Sequence, residues 1–330
     1  MAIRYSARAG ARGIGIGSLV LWLMVACGGE RPAARDASSA PESVRQIQVR
    51  AHRDLIEGSG AALSTAQPGV WFTTNDSRHG PTLFALDTLG AARGHWRVAR
   101  ATNIDWEAVA LGPCTTNDTL AAGERASCLY IADVGDNDEV RPSVALYQLP
   151  EPEAREVGAT RGEVTAQILS FRYEDGPHDV EAMYVGPLGD VVLITKRPRR
   201  NTVGQGRPAL VFTIPARAWT AGQPVVAMLT DSLPIVPGSA PGRLITDAAL
   251  SADARHVVVR TYRDVLIFAA DSATGRIDTQ ILPTFCSIQG MERGYGEGIS
   301  WLGTSGDLLL TQEGRNAPVH IVRCRLPVGS

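Results

Sequence analysis

The sequence predicts an all-β fold, a β-propeller of five four-stranded blades closed by its N-terminal strand, and two observations carry that prediction. The first is self-similarity. Asn103 to Asn137 reads N-I-D-W-E-A-V-A-L, a loop between two cysteines, then C-L-Y-I-A-D-V-G-D-N. H-D-V-E-A-M-Y-V-G-P-L-G-D-V-V-L-I-T-K-R (His178 to Arg197) repeats it, as does G-Y-G-E-G-I-S-W-L-G followed by G-D-L-L-L-T-Q-E-G (Gly294 to Gly314). Weaker copies run from Leu244 to Tyr262 and from Glu57 to Asp76. Short strands recurring at a period of roughly 40–50 residues mark a propeller, each repeat being one blade. The second observation is the strand count between copies.

Taken in order, the chain starts with Arg4, Arg8 and Arg12, then an apolar run from Ile14 to Ala26. A basic start and a short apolar run ending in small residues predict a signal peptide over 1–26, too short for a comfortable membrane span. Residues 27–45 are rich in Ala, Ser, Pro and charge without apolar periodicity, and predict a flexible tether. Structure is expected over 46–330, beginning with Q-I-Q-V-R-A.

Each acidic motif is preceded by a strand that ends the previous blade. The first blade reads G-A-A-L-S, V-W-F-T-T, T-L-F-A-L-D and W-R-V-A-R; the second E-A-V-A-L, L-Y-I-A-D, A-L-Y-Q-L and I-L-S-F-R-Y. The third reads E-A-M-Y-V, V-V-L-I-T, A-L-V-F-T-I and V-V-A-M-L, and the fourth D-A-A-L-S, V-V-V-R-T-Y, V-L-I-F-A and I-L-P-T-F. The fifth has three strands, G-I-S-W-L, L-L-L-T-Q and H-I-V-R-C, so Q-I-Q-V-R-A is left to complete it and remove the free edge. Six blades are the alternative, with one hidden in Pro198 to Arg207 or Ser232 to Gly242.

Composition excludes some functions. With 32 basic and 34 acidic residues in 330, no basic face is available for nucleic acid. A hydrophobic content of 44% supports a real core. There is no G-x-S-x-G, H-E-x-x-H or G-x-x-x-x-G-K-[ST] motif in the folded part. Five cysteines divide into Cys27 and an even set. Cys114 and Cys128 bracket one polar loop, and closing it stabilises by roughly 3 kcal/mol in the chain-entropy model; Cys286 with Cys324 follows by elimination.

The first strand of each blade lines the central channel, so Asp105, Glu107, Asp179, Glu181, Asp247 and Glu297 are expected at one mouth. Second strands end there too, bringing Asn75 and Asp76, Asp133 with Asp136 and Asn137, Lys196 and Arg197, Arg260 and Tyr262, and Gln312 and Glu313. So many carboxylates need a basic partner, a cation or protons. Three arrangements satisfy that need. The carboxylates pair with Lys196, Arg197, Arg260 and backbone amides; or Glu107, Glu181 and Glu297 hold Ca2+ or another divalent cation; or paired carboxylates act as acid and base. No other cofactor is expected. His178 reads as a turn histidine, and Trp106 and Trp301 as packing residues between blades.

M-V-A-C, ending at Cys27, resembles a bacterial lipobox, which implies a lipidated Cys27 and an anchor in the cell envelope, at the periplasmic face of the outer membrane. D-W-E-A-V-A, L-Y-I-A-D-V-G-D-N and D-V-E-A-M-Y-V with L-I-T-K-R resemble a family of uncharacterised secreted or lipidated bacterial β-propellers, over most of residues 57–314. More distantly, the carboxylate-led strands resemble phytase-like and gluconolactonase-like propellers, which implies a divalent ion on channel carboxylates. The expected function is a monomeric envelope module that binds a small molecule or an envelope protein. The alternative is a metal-dependent hydrolase of a phosphoester, lactone or glycan.

Overall fold

The computed structural model describes residues 39–115, 126–154, 161–196, 208–222, 224–233, 244–291, 294–303 and 305–327. Contacts separate Met1–Asp36 from Ala37–Ser330, and every described residue belongs to the second unit. The segment expected to be a signal peptide, Cys27, Arg197 and the segment from Pro198 to Arg207 lie outside the described residues.

The chain is an all-β propeller. Among the described residues, the strands form sheets of four, eight, four and five, within which antiparallel pairing links all but β9 (Arg161–Thr165) into five runs of four. The first holds β2 (Gly58–Leu63), β3 (Val70–Asn75), β4 (Thr82–Asp87) and β5 (Ala92–Ala99). The second holds β6 (Trp106–Pro113), β7 (Ser127–Asp133), β8 (Val144–Pro150) and β10 (Gln167–Tyr173). The third holds β11 (Val180–Val185), β12 (Val191–Thr195), β13 (Leu210–Ile214) and β14 (Val225–Ser232); the fourth holds β15 (Ile245–Leu250), β16 (His256–Thr261), β17 (Asp264–Ala269) and β18 (Thr284–Ser287). The last holds β19 (Gly296–Trp301), β20 (Asp307–Gln312) and β21 (Val319–Arg323), completed by β1 (Ser43–Ile47).

Closure by the N-terminus is therefore present, three residues earlier than Q-I-Q-V-R-A suggests. The strand S-V-R-Q-I is polar and almost wholly exposed, so apolar alternation could not locate it. The last strand of the fourth group likewise starts at Thr284, later than I-L-P-T-F implies. Two parallel pairings were not expected at all. β9 (Arg161–Thr165) runs beside β5, and β10 runs beside β14, which joins the second and third groups into one eight-stranded sheet.

The innermost strands form a ring: β2 packs beside β6, β6 beside β11, β11 beside β15, β15 beside β19, and β19 beside β2. Hydrophobic clusters fill the spaces between neighbouring groups. Phe72 and Trp96 meet Trp106 and Ile131 between the first two, while Trp71 and Phe84 meet Leu309 and Ile321 across the closing seam. Each such fully buried side chain contributes about 1.5–3 kcal/mol. Trp106 and Trp301 belong to these layers, with their indole N–H groups bonded to the carbonyls of Thr102 and Ala249. Both expected disulfides form, Cys114–Cys128 within the second group and Cys286–Cys324 between the fourth and the last.

Candidate functional site

A repeated defect in the ladders positions the site. Every innermost strand breaks register with its neighbour near its start: between Ser59 and Ala62, Trp106 and Ala108, Val180 and Ala182, Ile245 and Asp247, and Gly296 and Ile299. A bulge takes a residue out of the ladder and re-aims its side chain. The residues so displaced are Glu107, Glu181 and Thr246, with Glu297 at the break in β19. Ser59 is its counterpart in β2, because Gly58-Ser59-Gly60 matches Gly296-Glu297-Gly298.

Two of these five positions carry hydroxyls, and each ties its strand to the next. Ser59 donates to the Glu107 carbonyl at 2.8 Å, and Thr246 to the Glu297 carbonyl at 3.1 Å. The glutamates keep their carboxylates for the channel. Glu107, Glu181 and Glu297 line one cavity of about 60 Å³ together with Asp76, Lys196 and Glu313. The convergence expected of the three glutamates is what the structure shows.

Asp247 and Arg260 are not at this mouth. Asp247 sits one residue past the ring position and is fully buried, accepting amides of Ala61 at 3.3 Å, Ala248 at 2.8 Å and Ile299 at 2.8 Å. Its register partner Arg260 is equally buried and donates to the carbonyls of Gly298 and Thr311, each at 2.6 Å. Both residues tie neighbouring strands. Asp133 accepts the Ile104 and Asp105 amides and the Arg141 guanidinium, the last at 2.8 Å, so it holds the turn that presents Asp105. Asp179 accepts the Asp136 amide at 3.2 Å. His178, also buried, lies 2.7 Å from Asp175 through Nε2 and packs on Tyr173 and Phe212, away from the cavity.

Charge at the mouth is lopsided. Lys196 forms an ion pair with Glu181, and among the described residues it is the cavity's one cation against six carboxylates, Glu57, Asp76, Glu107, Glu181, Glu297 and Glu313. Carboxylate oxygens of Asp76, Asp105 and Glu107 all lie within 4.8 Å of one another. Asp76 is placed by its own amide, bonded to the Glu57 carbonyl at 2.9 Å, and by Asn103, which donates to the Asp76 carbonyl at 2.8 Å. Gly135 lies against Asp105 and Glu107, where a Cβ would overlap both carboxylates.

Burial sets the protonation of these groups. It raises Asp105 to about 7, aided by the charge and hydrogen bond of Asp76 and opposed by Arg141. It raises Glu181 to about 7 as well, against the pull of Lys196. Glu107 is held well above the usual carboxylate range by burial, then by Glu181, Asp76 and Asp105; Glu297 by burial, then by Glu181 and Glu313. Burial disfavours the Lys196 charge, but Glu181 outweighs it and raises that pKa.

Asp76 was legible only as the polar end of a strand, and Ser59 and Thr246 not at all, because their place depends on the bulge. At the other end of the channel a cavity of about 500 Å³ is lined by residues such as Ala61, Val109, Leu111, Ala248 and Leu250, with no charged side chain among the described residues. The two mouths thus differ in chemistry.

No protein-family model and no curated protein matches the chain. In solved structures it is similar to the PQQ-bound aldose sugar dehydrogenase of Streptomyces coelicolor, with 12% identity, a TM-score of 0.45, and 86% of this chain and 99% of that one covered. It is similar also to a putative glucose dehydrogenase-type oxidoreductase of Thermus thermophilus, with 12% identity, a TM-score of 0.44, and 85% and 100% covered. The PQQ domain of pyranose dehydrogenase from Coprinopsis cinerea gives 11% identity, a TM-score of 0.40, and 89% and 98% covered.

Proposed function

We propose that this chain is an envelope-anchored, monomeric ligand-binding propeller whose acidic mouth takes a small positively charged ligand, a metal ion or an organic cation. One observation carries the proposal. Glu297 is 7% exposed and lines the cavity, yet among the described residues no hydrogen bond or ion pair reaches its carboxylate. Lys196 is already committed to Glu181. Burial keeps this carboxyl protonated and without a partner, and a bound cation lets it ionise and supplies the missing partner.

The anchor is the lipidated Cys27 of the M-V-A-C motif, at the periplasmic face of the outer membrane. Replacing Cys27 by Ser should release the protein from membranes, and unchanged partitioning would sink the anchor. Cation binding is tested by melting the purified protein with and without added cations. A ligand bound by the native state alone stabilises by about 2.7 kcal/mol at a concentration 100-fold above its dissociation constant. A melting temperature indifferent to every metal and organic cation tried would end the proposal.

A metal-dependent hydrolase is the second reading, favoured by the near-neutral pKa of Asp105 and Glu181. Groups poised there serve as acid or base at physiological pH. Turnover of a phosphoester or lactone that disappears in Glu181→Gln, with binding retained, would support it.

A further inference from the structure

We propose that the acidic mouth holds a divalent metal ion whose protein ligands are Asp76, Asp105 and Glu107. This rests on the cation-binding function above and names the class of cation. The ligand set differs from Glu107, Glu181 and Glu297, the three glutamates that the sequence repeat singles out, because Lys196 occupies Glu181.

Two oxygens that share an ion at roughly 2.4 Å can stand no more than about 4.8 Å apart. The carboxylates of Asp76, Asp105 and Glu107 meet that condition mutually. Asp76 directly follows β3, Asp105 directly precedes β6 and Glu107 lies within it, so two neighbouring sheets bring the three together. All three offer hard oxygen atoms, with no sulfur or imidazole among them, which suits Ca2+, Mg2+ or Mn2+ over zinc.

A separate observation points to a ligand. The Glu297 carboxylate, more than nine-tenths buried, lines the same cavity as Asp76 and Glu107 and has no hydrogen-bond or ion-pair partner among the described residues. The donor arrangement selects between cations. Three carboxylates within ion-sharing distance match a single ion held by several oxygens, and a cavity of about 60 Å³ leaves room for water beside it.

The test is calorimetric titration of the EDTA-treated, purified full chain with CaCl2, MgCl2 and MnCl2, and separately with methylammonium chloride. One metal ion per chain is expected. Asp76→Asn and Asp105→Asn should each weaken binding at least tenfold, with the circular dichroism spectrum in EDTA unchanged. Asp76 lies at the half-buried rim, so its variant decides the matter if Asp105→Asn does not fold. Absence of binding by all three metals, or binding that both substitutions leave intact, overturns the metal site. Methylammonium binding without metal binding overturns it too, but leaves the cation-binding function standing; silence from both overturns both.

Discussion

Glu181 and Lys196 make a buried ion pair at the point where β11 and β12 meet the channel mouth. The Glu181 side chain is 2% exposed and that of Lys196 14%, so solvent screens the pair only weakly. Lys196→Met should therefore lower stability by about 3–5 kcal/mol at about pH 8, where Glu181 would otherwise be charged. Adding Glu181→Gln should recover most of that loss. Urea denaturation of the single and double variants checks both, and a single variant as stable as the parent would show that the pair is not formed.

The same carboxylates give the metal-free protein a pH dependence of definite sign. Asp105 is raised from 3.8 to about 7, and Glu181 from 4.5 to about 7, burial being the first cause in both. A carboxyl with a raised folded pKa contributes stability that is present below its unfolded value and lost as pH rises through the folded one. In EDTA the melting temperature should fall between about pH 4 and 7. Asp253, Asp271 and Asp307 shift the other way below the ordinary aspartate value of 3.8, and His256, lowered by burial from 6.5, opposes within the window, one group against the raised carboxyls Asp105, Glu107, Glu181, Glu297 and Glu313. Asp105→Asn should flatten the slope; a melting temperature that rises across this range contradicts the prediction.

Cys286–Cys324 links β18 to the end of β21, across the gap that chain closure must span. It encloses a separation of 38 residues, and removing such a link costs about 4 kcal/mol in the chain-entropy model. Cys286→Ala with Cys324→Ala should lower the unfolding free energy by that order. The pair Cys114→Ala with Cys128→Ala, with its separation of 14, should cost about 1 kcal/mol less. Equal losses would mean that native-state contacts, not loop closure, dominate.

The fold was legible because strand, turn and acidic motif recur in constant phase, so even the missing fourth strand of the last group could be counted. β1 was misplaced by three residues because an exposed strand carries no apolar signal. At the site, Glu107, Glu181 and Glu297 were legible as the same letter in the same place. Asp247 was misread for the complementary reason. Its acidic letter matched the motif, but the bulge in β15 gives the ring position to Thr246 and leaves Asp247 binding amides. A one-residue slip changes which face a side chain occupies, and register is a property of two strands that one strand's sequence does not display. Asp76 belongs to the site for a similar reason: its meeting with Asp105 is made by the packing of β2 and β3 on β6.

Gly135 provides the sharpest separation of fold from site. Its backbone lies outside the left-handed region, so alanine is conformationally acceptable there. The added methyl would overlap the carboxylate ends of Asp105 and Glu107. Those ends can swing away where a backbone could not, so Gly135→Ala should keep the fold and lose about 1–3 kcal/mol through overpacking. It should also part the oxygens that share the proposed ion and weaken metal binding at least tenfold. Gly80→Ala, with only the Thr82 hydroxyl within 4 Å at 3.9 Å, should leave binding unchanged. Titration of both variants with CaCl2 is the measurement, and a Gly135→Ala protein that binds as tightly as Gly80→Ala would remove Asp105 and Glu107 from the ligand set.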